Sequence, residues 1–281
     1  MILRQRNTNL QNTEGGEIYM SWIWSALMPH PPVLLQEIGR GREMEAVETL
    51  NGIESMTAAM EKPDLLFVLS PHQPYSPGAL FVNTARAFHG SFALFGVPQV
   101  KLDMISADGH ELCAYLENSG TLVHKQAFED LTRDQGSMVP LYFLNRAWGK
   151  LPPVIISSPI GLTPQEAFAM GKSLAQFKSD KKLALLASGD LSHRLTPDAP
   201  AGYEPDYAPV FEAAVEEALK TSSPAPILRL DEVTLECAGE CGLRSVMAML
   251  GLVGQNSKIE IFSHEWPFGV GYCNALWRNH D

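Results

Sequence analysis

The stretch that decides the fold is "DLLFVLSPHQP", residues 64–74. Its first half is an unbroken apolar run of strand length, which is typical of a strand buried on both faces of a parallel sheet. The run ends in Pro71-His72, and Pro74 follows closely. Proline fixes its own backbone angle, so the turn beyond the strand is stiff. The stretch therefore predicts a buried strand followed by a histidine in a stiff turn between two prolines.

Two further apolar runs end in the same way. "SALMPHPP" (25–32) places His30 after its run, and "KLALLASGDLSH" (182–193) places His193 shortly after its own. Strand-like runs alternate with helical patterns along the chain, which indicates an α/β fold. We predict one three-layer domain over residues 20–281, with a largely parallel or mixed central sheet flanked by helices. The predicted helices cover about 41–62, 136–148, 163–178, 205–220 and 241–250.

Two local signals place helix ends. Thr163-Pro164-Gln165-Glu166 is a capping box with proline at the first helical position, so a helix is expected to start there. Gly251 follows the pattern of the helix predicted over 241–250. Glycine is the usual residue just past a helix, and it is predicted to end this one.

The first residues differ from the rest of the chain. Residues 1–19 are polar and poorly patterned, and they lack the apolar core of a signal peptide. We expect either a disordered leader or a mis-annotated start, with Met20 as the natural first residue.

Composition narrows the range of functions. The 281 residues are 45% hydrophobic and 19% charged, and 21 basic against 32 acidic residues give a net charge of −11. This charge argues against nucleic-acid or anionic-membrane partners, which are bound by clustered Lys and Arg. Four scattered cysteines favour a reducing, cytoplasmic setting. A homodimer is expected because dimers are common among soluble enzymes, with Trp22, Trp24 and Trp277 either at its interface or in the core.

The three strand-end histidines form the candidate site. In α/β sheets functional groups gather beyond the carboxyl ends of the strands, so we expect His30, His72 and His193 to meet. Any one of them alone is typical of an exposed or hydrogen-bonded loop residue. Their matching stiff turns favour metal binding by His30 and His72, because preorganised ligands bind without reordering. Asp190, three residues before His193, is expected either to orient an imidazole or to cap the turn.

A third ligand is expected from "LECAGECGLRS", residues 235–245. Glu240 with two histidines would complete the triad that holds non-haem Fe(II), whereas a Cys241 thiolate would favour zinc or copper. Glu240 also precedes a predicted helix, where a carboxylate is favoured without any metal. The residues alone leave these alternatives open.

Six motifs together resemble a known family. "MPHPP", "SPHQP", "DQGSMVPL", "SGDLSH", "GECGLRS" and "PFGVGY" occur in this order between Met20 and Trp277. The ordered set resembles the LigB-like class III extradiol ring-cleavage dioxygenase superfamily. Within it, the chain is most similar to the Memo-related branch, of the AmmeMemoRadiSam system protein B type.

The resemblance implies an Fe(II) enzyme that inserts O₂ into a catechol-type aromatic ring. It implies His30, His72 and Glu240 as iron ligands and His193 as the acid/base group, with a small aromatic diol as substrate. Cys241 stays the alternative ligand, with copper or zinc as the alternative metal. Two other functions remain open: a Memo-like metal- or partner-binding protein without dioxygenase activity, and a zinc hydrolase.

One position departs from the family pattern. Gln135 in "DQGSMVPL" stands where relatives commonly have histidine. Glutamine donates a hydrogen bond but does not shuttle a proton at neutral pH. A catalytic role for this position would therefore be weakened here, and we expect slower turnover or a different substrate.

Overall fold

The computed structural model describes residues 21–279. The predicted leader and the proposed start at Met20 lie outside the described residues. The strands are β1 (Trp22–Met28), β2 (Leu65–Leu69), β3 (Leu80–Asn83), β4 (Ala87–Phe92), β5 (Val97–Ile105), β6 (Val123–Gln126), β7 (Val154–Ser158), β8 (Leu183–Ser188), β9 (Ile259–Glu265) and β10 (Tyr272–Arg278). The helices are α1 (Gln36–Gly39), α2 (Val47–Ala58), α3 (His110–Asn118), α4 (Gln135–Trp148), α5 (Pro164–Gln176), α6 (Ala208–Thr221), α7 (Ala225–Leu228), α8 (Glu232–Ala238) and α9 (Leu243–Val253).

Eight strands form one mixed sheet in the order β6-β3-β7-β2-β8-β1-β10-β9. The four central strands β7, β2, β8 and β1 are parallel to one another. β3 runs antiparallel to β7, and β10 runs antiparallel to both β1 and β9. β4 and β5 form a separate two-stranded sheet. The predicted α/β class with a mixed central sheet is confirmed.

The central strands are buried on both faces, as their unbroken apolar runs require. Phe67 and Leu185 pack into the core on the face covered by α3, α5, α6 and α9. Their neighbours Leu66 and Leu186 pack into the core on the other face, against α2, α4 and the β4–β5 hairpin. The alternation follows from the two-residue repeat of a strand and produces three layers.

The capping box is confirmed as the start of α5. The Thr163 hydroxyl oxygen accepts the Glu166 N–H at 3.2 Å, and the Glu166 carboxylate accepts the Thr163 N–H at 2.7 Å. Two backbone donors at the helix start are therefore satisfied reciprocally.

The predicted end of the last helix is wrong. α9 continues through Gly251 to Val253, and Gly254 follows it. Gly251 serves helix packing instead, because a Cβ there would clash with the Phe168 carbonyl oxygen on α5. Gly171 on α5 faces α9 in the same way, since a Cβ there would clash with the Ala248 carbonyl oxygen. The two glycines let α5 and α9 approach closely over the sheet.

The three tryptophans named above belong to the core. Trp22, Trp24 and Trp277 are buried, so the expectation of a core position is the correct one of the two. The homodimer itself stays a prediction. Among the described residues, every helix is too short or too polar to cross a bilayer.

Candidate metal centre

The strand-end residues meet at one edge of the central sheet. His30 follows β1 by two residues, His72 follows β2 by three, and Asp190 follows β8 by two. β2, β8 and β1 are adjacent and parallel, so their carboxyl ends lie side by side. Cys241 joins them from the segment before α9.

Three metal-ligating atoms converge there. The Nε2 atoms of His30 and His72 lie 3.0 Å apart, and their rings stand almost perpendicular at 84°. The Cys241 Sγ lies 3.6 Å from His30 Nε2. His30 is buried, Cys241 is half-buried and His72 is exposed, so the group opens to solvent on the His72 side.

His193 lies beside this group with a fixed orientation. Ligand atoms of Asp190, His193 and Cys241 also lie within 4.8 Å of one another. His193 Nδ1 lies 2.7 Å from the Gly239 carbonyl oxygen, which only accepts, so Nδ1 carries the proton. The Nε2 lone pair is left free and lies 3.9 Å from Asp190 Oδ2.

His30 is held from two sides. Its Nδ1 is 2.9 Å from the Ser188 hydroxyl, and its backbone N–H donates to Asp190 Oδ1 at 2.8 Å. Asp190 Oδ2 lies 3.9 Å from His30 Nε2. Asp190 thus accepts the His30 backbone N–H and faces the imidazoles of His30 and His193, each at 3.9 Å.

A buried aspartate that the sequence analysis did not identify holds the His72 loop. Asp134 caps α4 by accepting the Ser137 N–H at 3.0 Å. Its Oδ1 also accepts the Ser70 hydroxyl and its Oδ2 the Gln73 amide, both at 2.5 Å. Ser70 in turn accepts the His72 N–H at 3.2 Å. The available signal was an aspartate directly before an apolar helical pattern, which predicts a helix cap and gives no hint of the bonds to the loop.

Glu240 lies in a different environment from the converging ligand atoms. Its Oε2 accepts the Leu243 N–H at 2.6 Å, and its Oε1 pairs with Arg244 Nη1 at 2.9 Å. It is absent from both groups of converging ligand atoms formed by the described residues. This carboxylate has the helix-start position that the sequence offered as its alternative.

Gln135 is half-buried and begins α4 directly after Asp134. The first turn of α4 packs directly against the His72 loop. A Cβ on Gly136 would clash with Ser70 Oγ and lie 3.0 Å from His72 Cδ2. Gln135 therefore lies in a turn that borders the site.

Two glycines join the loops that carry Asp190 and Cys241. A Cβ on Gly189 would clash with the Gly242 Cα, so the two backbones touch directly. The Asp190 carbonyl oxygen accepts the Gly242 N–H at 2.9 Å across this contact. The separation of the two loops is thereby fixed by backbone contact, without an intervening side chain.

Burial controls protonation in the cluster. It lowers the pKa of His30 well below its usual range, and the neighbouring His72 lowers it further. Desolvation also lowers the pKa of His72, although its side chain is the most exposed of the three converging residues. Burial raises the pKa of Asp190 to about 6, opposed chiefly by His193, and raises the pKa of the Cys241 thiol well above its usual range.

This donor set fits a cation. Neutral imidazoles are the form that binds metal, and burial favours that form at His30 and His72. Two Nε2 atoms 3.0 Å apart share at most one proton between them, and a cation satisfies both lone pairs. A cation would also release the proton of the buried Cys241 thiol, because thiolate is the ligating form.

Comparison with known proteins agrees with the fold and the family resemblance. A family model described as "Catalytic LigB subunit of aromatic ring-opening dioxygenase" matches residues 25–274. Protein CA_C1420 of Clostridium acetobutylicum is 32% identical over 260 residues, covering 88% of this chain. The chain spans only 55% of that relative, about half its length.

A solved structure shares the fold. The crystal structure of the uncharacterized protein JW3007 from Escherichia coli K12 superposes with a TM-score of 0.58. The match covers 90% of this chain and 99% of the other at 14% identity, which supports the fold alone. The family match, by contrast, runs through all the segments that carry the candidate ligands. The chain therefore belongs to the LigB family.

Proposed function

We propose that this chain is a metal-dependent oxidoreductase that opens catechol-type aromatic rings with O₂. The observation that carries the proposal is the convergence of His30, His72 and Cys241 beside the free Nε2 of His193. An ion-binding group next to an oriented proton acceptor, at an edge open to solvent, is the arrangement that ring-opening dioxygenase chemistry needs.

We further propose His30, His72 and Cys241 as the ligands, with Cys241 in place of Glu240. The Glu240 carboxylate already accepts a backbone N–H and pairs with Arg244. It belongs to neither group of converging ligand atoms, so it would have to leave this position at the helix start to join His30 and His72. Cys241 needs no such rearrangement, since its sulfur lies 3.6 Å from His30 Nε2.

A metal ion held by these residues would supply the redox chemistry for the reaction of O₂ with a catechol, and we propose Fe(II) because the family model that matches is that of a ring-opening dioxygenase subunit. His193 takes the proton of a substrate hydroxyl at Nε2, because its Nδ1 proton is committed to the Gly239 carbonyl. Asp190, 3.9 Å away, stabilises the imidazolium that results. The His193 imidazolium then returns this proton to the ring-opened product.

The test is anaerobic metal titration of three proteins, followed by O₂ uptake and product absorbance with a panel of catechols. Cys241→Ser is expected to lose tight Fe(II) binding. Glu240→Gln serves as the control and is expected to retain it, because an amide oxygen can still accept the Leu243 N–H. Retention by Cys241→Ser together with loss by Glu240→Gln would reverse the ligand assignment. Loaded wild-type protein that consumes no O₂ with any catechol would refute ring opening.

A second candidate function is favoured by two observations. A thiolate ligand suits copper or zinc better than Fe(II), and Gln135 lacks the proton-shuttling ability of the histidine found in relatives. The alternative is therefore a Memo-like metal-binding protein without dioxygenase activity. It predicts tight Cu(I) or Zn(II) binding that requires Cys241, with no turnover after any metal is loaded.

A further inference from the structure

A buried carboxylate outside the metal cluster supports the backbone beside His193. Glu212 on α6 is 4% exposed. Its Oε1 accepts the Ser192 N–H at 2.7 Å, and its Oε2 accepts from His264 Nε2 at 2.6 Å. Glu212 thus links α6 and strand β9 to the residue that directly precedes His193.

The surrounding backbone is shaped to admit this carboxylate. Gly271 exchanges hydrogen bonds with the loop, from its N–H to the Ser192 carbonyl and from the Leu191 N–H to its own carbonyl, both at 2.8 Å. A Cβ on Gly271 would clash with Glu212 Oε1. Only glycine at this position leaves room for the carboxylate to reach the Ser192 N–H.

Ser192 and His193 also donate to carbonyl oxygens at the C-terminal end of α8. The Ser192 hydroxyl donates to the Ala238 carbonyl at 2.8 Å, and the His193 N–H donates to the same oxygen at 3.2 Å. His193 Nδ1 donates to the Gly239 carbonyl at 2.7 Å. The hydrogen bond from Ser192 to Glu212 is therefore one of the anchors of the segment that holds His193 Nδ1 against the Gly239 carbonyl.

We propose that Glu212, held in place by His264, is a positioning residue for His193. By fixing the Ser192 N–H it keeps His193 Nδ1 on the Gly239 carbonyl and leaves Nε2 free to face the metal cluster. This inference rests on the proposed function for its catalytic consequence. The orientation of the imidazole can be measured without metal or substrate.

The experiment compares wild type, Glu212→Ala, Glu212→Gln and Val215→Ala. Val215 is buried on the same helix and controls for a loosened α6. The first readout is the ¹⁵N NMR signal of the His193 ring, which reports whether Nδ1 or Nε2 carries the proton. Metal occupancy and, where wild type turns over, kcat and KM are measured on the same samples.

Glu212→Ala is expected to lose the pure Nδ1–H form and to lower kcat by about 10- to 100-fold, with metal occupancy and KM unchanged. Glu212→Gln is expected to retain both the Nδ1–H form and the wild-type kcat, because its amide oxygen still accepts the Ser192 N–H. Val215→Ala is expected to resemble wild type. Should Glu212→Ala fail to fold, His264→Leu is expected to shift the same NMR signal by freeing the carboxylate.

Two results would overturn the assignment: an unchanged His193 tautomer in Glu212→Ala or His264→Leu, or an equal change in Val215→Ala. Wild-type protein without turnover would instead defeat the proposed function. The NMR signal alone would then decide whether Glu212 positions His193.

Discussion

Replacing Asp134 by alanine should both destabilise the fold and weaken metal binding. The side chain is 3% exposed and serves three donors: the Ser137 N–H, the Ser70 hydroxyl and the Gln73 amide. Loss of the helix cap costs about 1 kcal/mol. Ser70 and Gln73 are themselves buried, and each buried donor left without an acceptor costs roughly 1–3 kcal/mol. The expected loss in the free energy of unfolding is about 3–7 kcal/mol.

The second consequence concerns His72, a proposed ligand whose loop is held by the Asp134 network. His72 donates its backbone N–H to Ser70, so Asp134 fixes the loop that presents this imidazole. Removing a partner that orients a ligand typically costs about 10- to 100-fold in metal affinity. His30, held by Ser188 and Asp190, is not affected directly.

The assay is urea-induced unfolding combined with anaerobic metal titration. Asp134→Asn is expected to have a stability and a metal affinity between those of wild type and Asp134→Ala. Its amide oxygen can still accept hydrogen bonds, whereas its NH₂ group faces another donor and cannot accept from it. Asp231→Ala removes a cap of the same kind from α8, where the aspartate accepts the Thr234 N–H. Equal stability of Asp134→Ala and Asp231→Ala, with metal affinity unchanged in both, would refute the reasoning.

Three further predictions concern other parts of the fold. Gly189→Ala should lose metal binding and about 1–3 kcal/mol of stability, because a methyl group would push apart the touching backbones; full occupancy on titration would contradict this. Hydrogen bonds from Thr163 lower the pKa of Glu166 below its ordinary value of 4.5. The capping box therefore stabilises the fold at pH values above 4.5, and this contribution is lost as the pH falls through the lowered pKa. Glu166→Gln should therefore show a shallower loss of stability below pH 4.5 in acid unfolding curves, and a slope equal to that of wild type would rule the effect out. Gln135→His should raise catechol turnover if this position limits proton transfer, and unchanged O₂ uptake would argue that it does not.

Much of the site could be predicted because it depends on sheet geometry. His30, His72 and Asp190 each follow a buried apolar run, and parallel strands place such residues at the same edge. The side-chain direction at Glu240 and Cys241 could not be predicted in this way. These residues are sequence neighbours before a helix, and the contacts of the Cys241 sulfur are with His30 and the Asp190 carbonyl, both distant in the chain.

Other features depend on contacts between segments far apart in the chain. Asp134 is recognisable only as a helix cap and Glu212 only as part of a helix, yet their carboxylates reach loops 64 and 20 residues away. Gly251 has the sequence context of a helix end, but its real constraint is the surface of α5. Local sequence patterns indicate backbone preference and periodicity. They do not show which distant segment of backbone packs against a glycine.

The wide separation of the proposed ligands in the chain has a consequence for synthesis. His30 and Cys241 are 211 positions apart, and β10, near the end of the described residues, lies between β1 and β9 in the sheet. A ribosome releases the N-terminal strands first. A nascent chain therefore exposes His30 and His72 long before Cys241 emerges, and an ion captured at that stage would be held loosely. With these residues as ligands, tight metal retention would report that the segment carrying Cys241 has packed beside the His30 loop, and it would distinguish such molecules from chains that end before this segment.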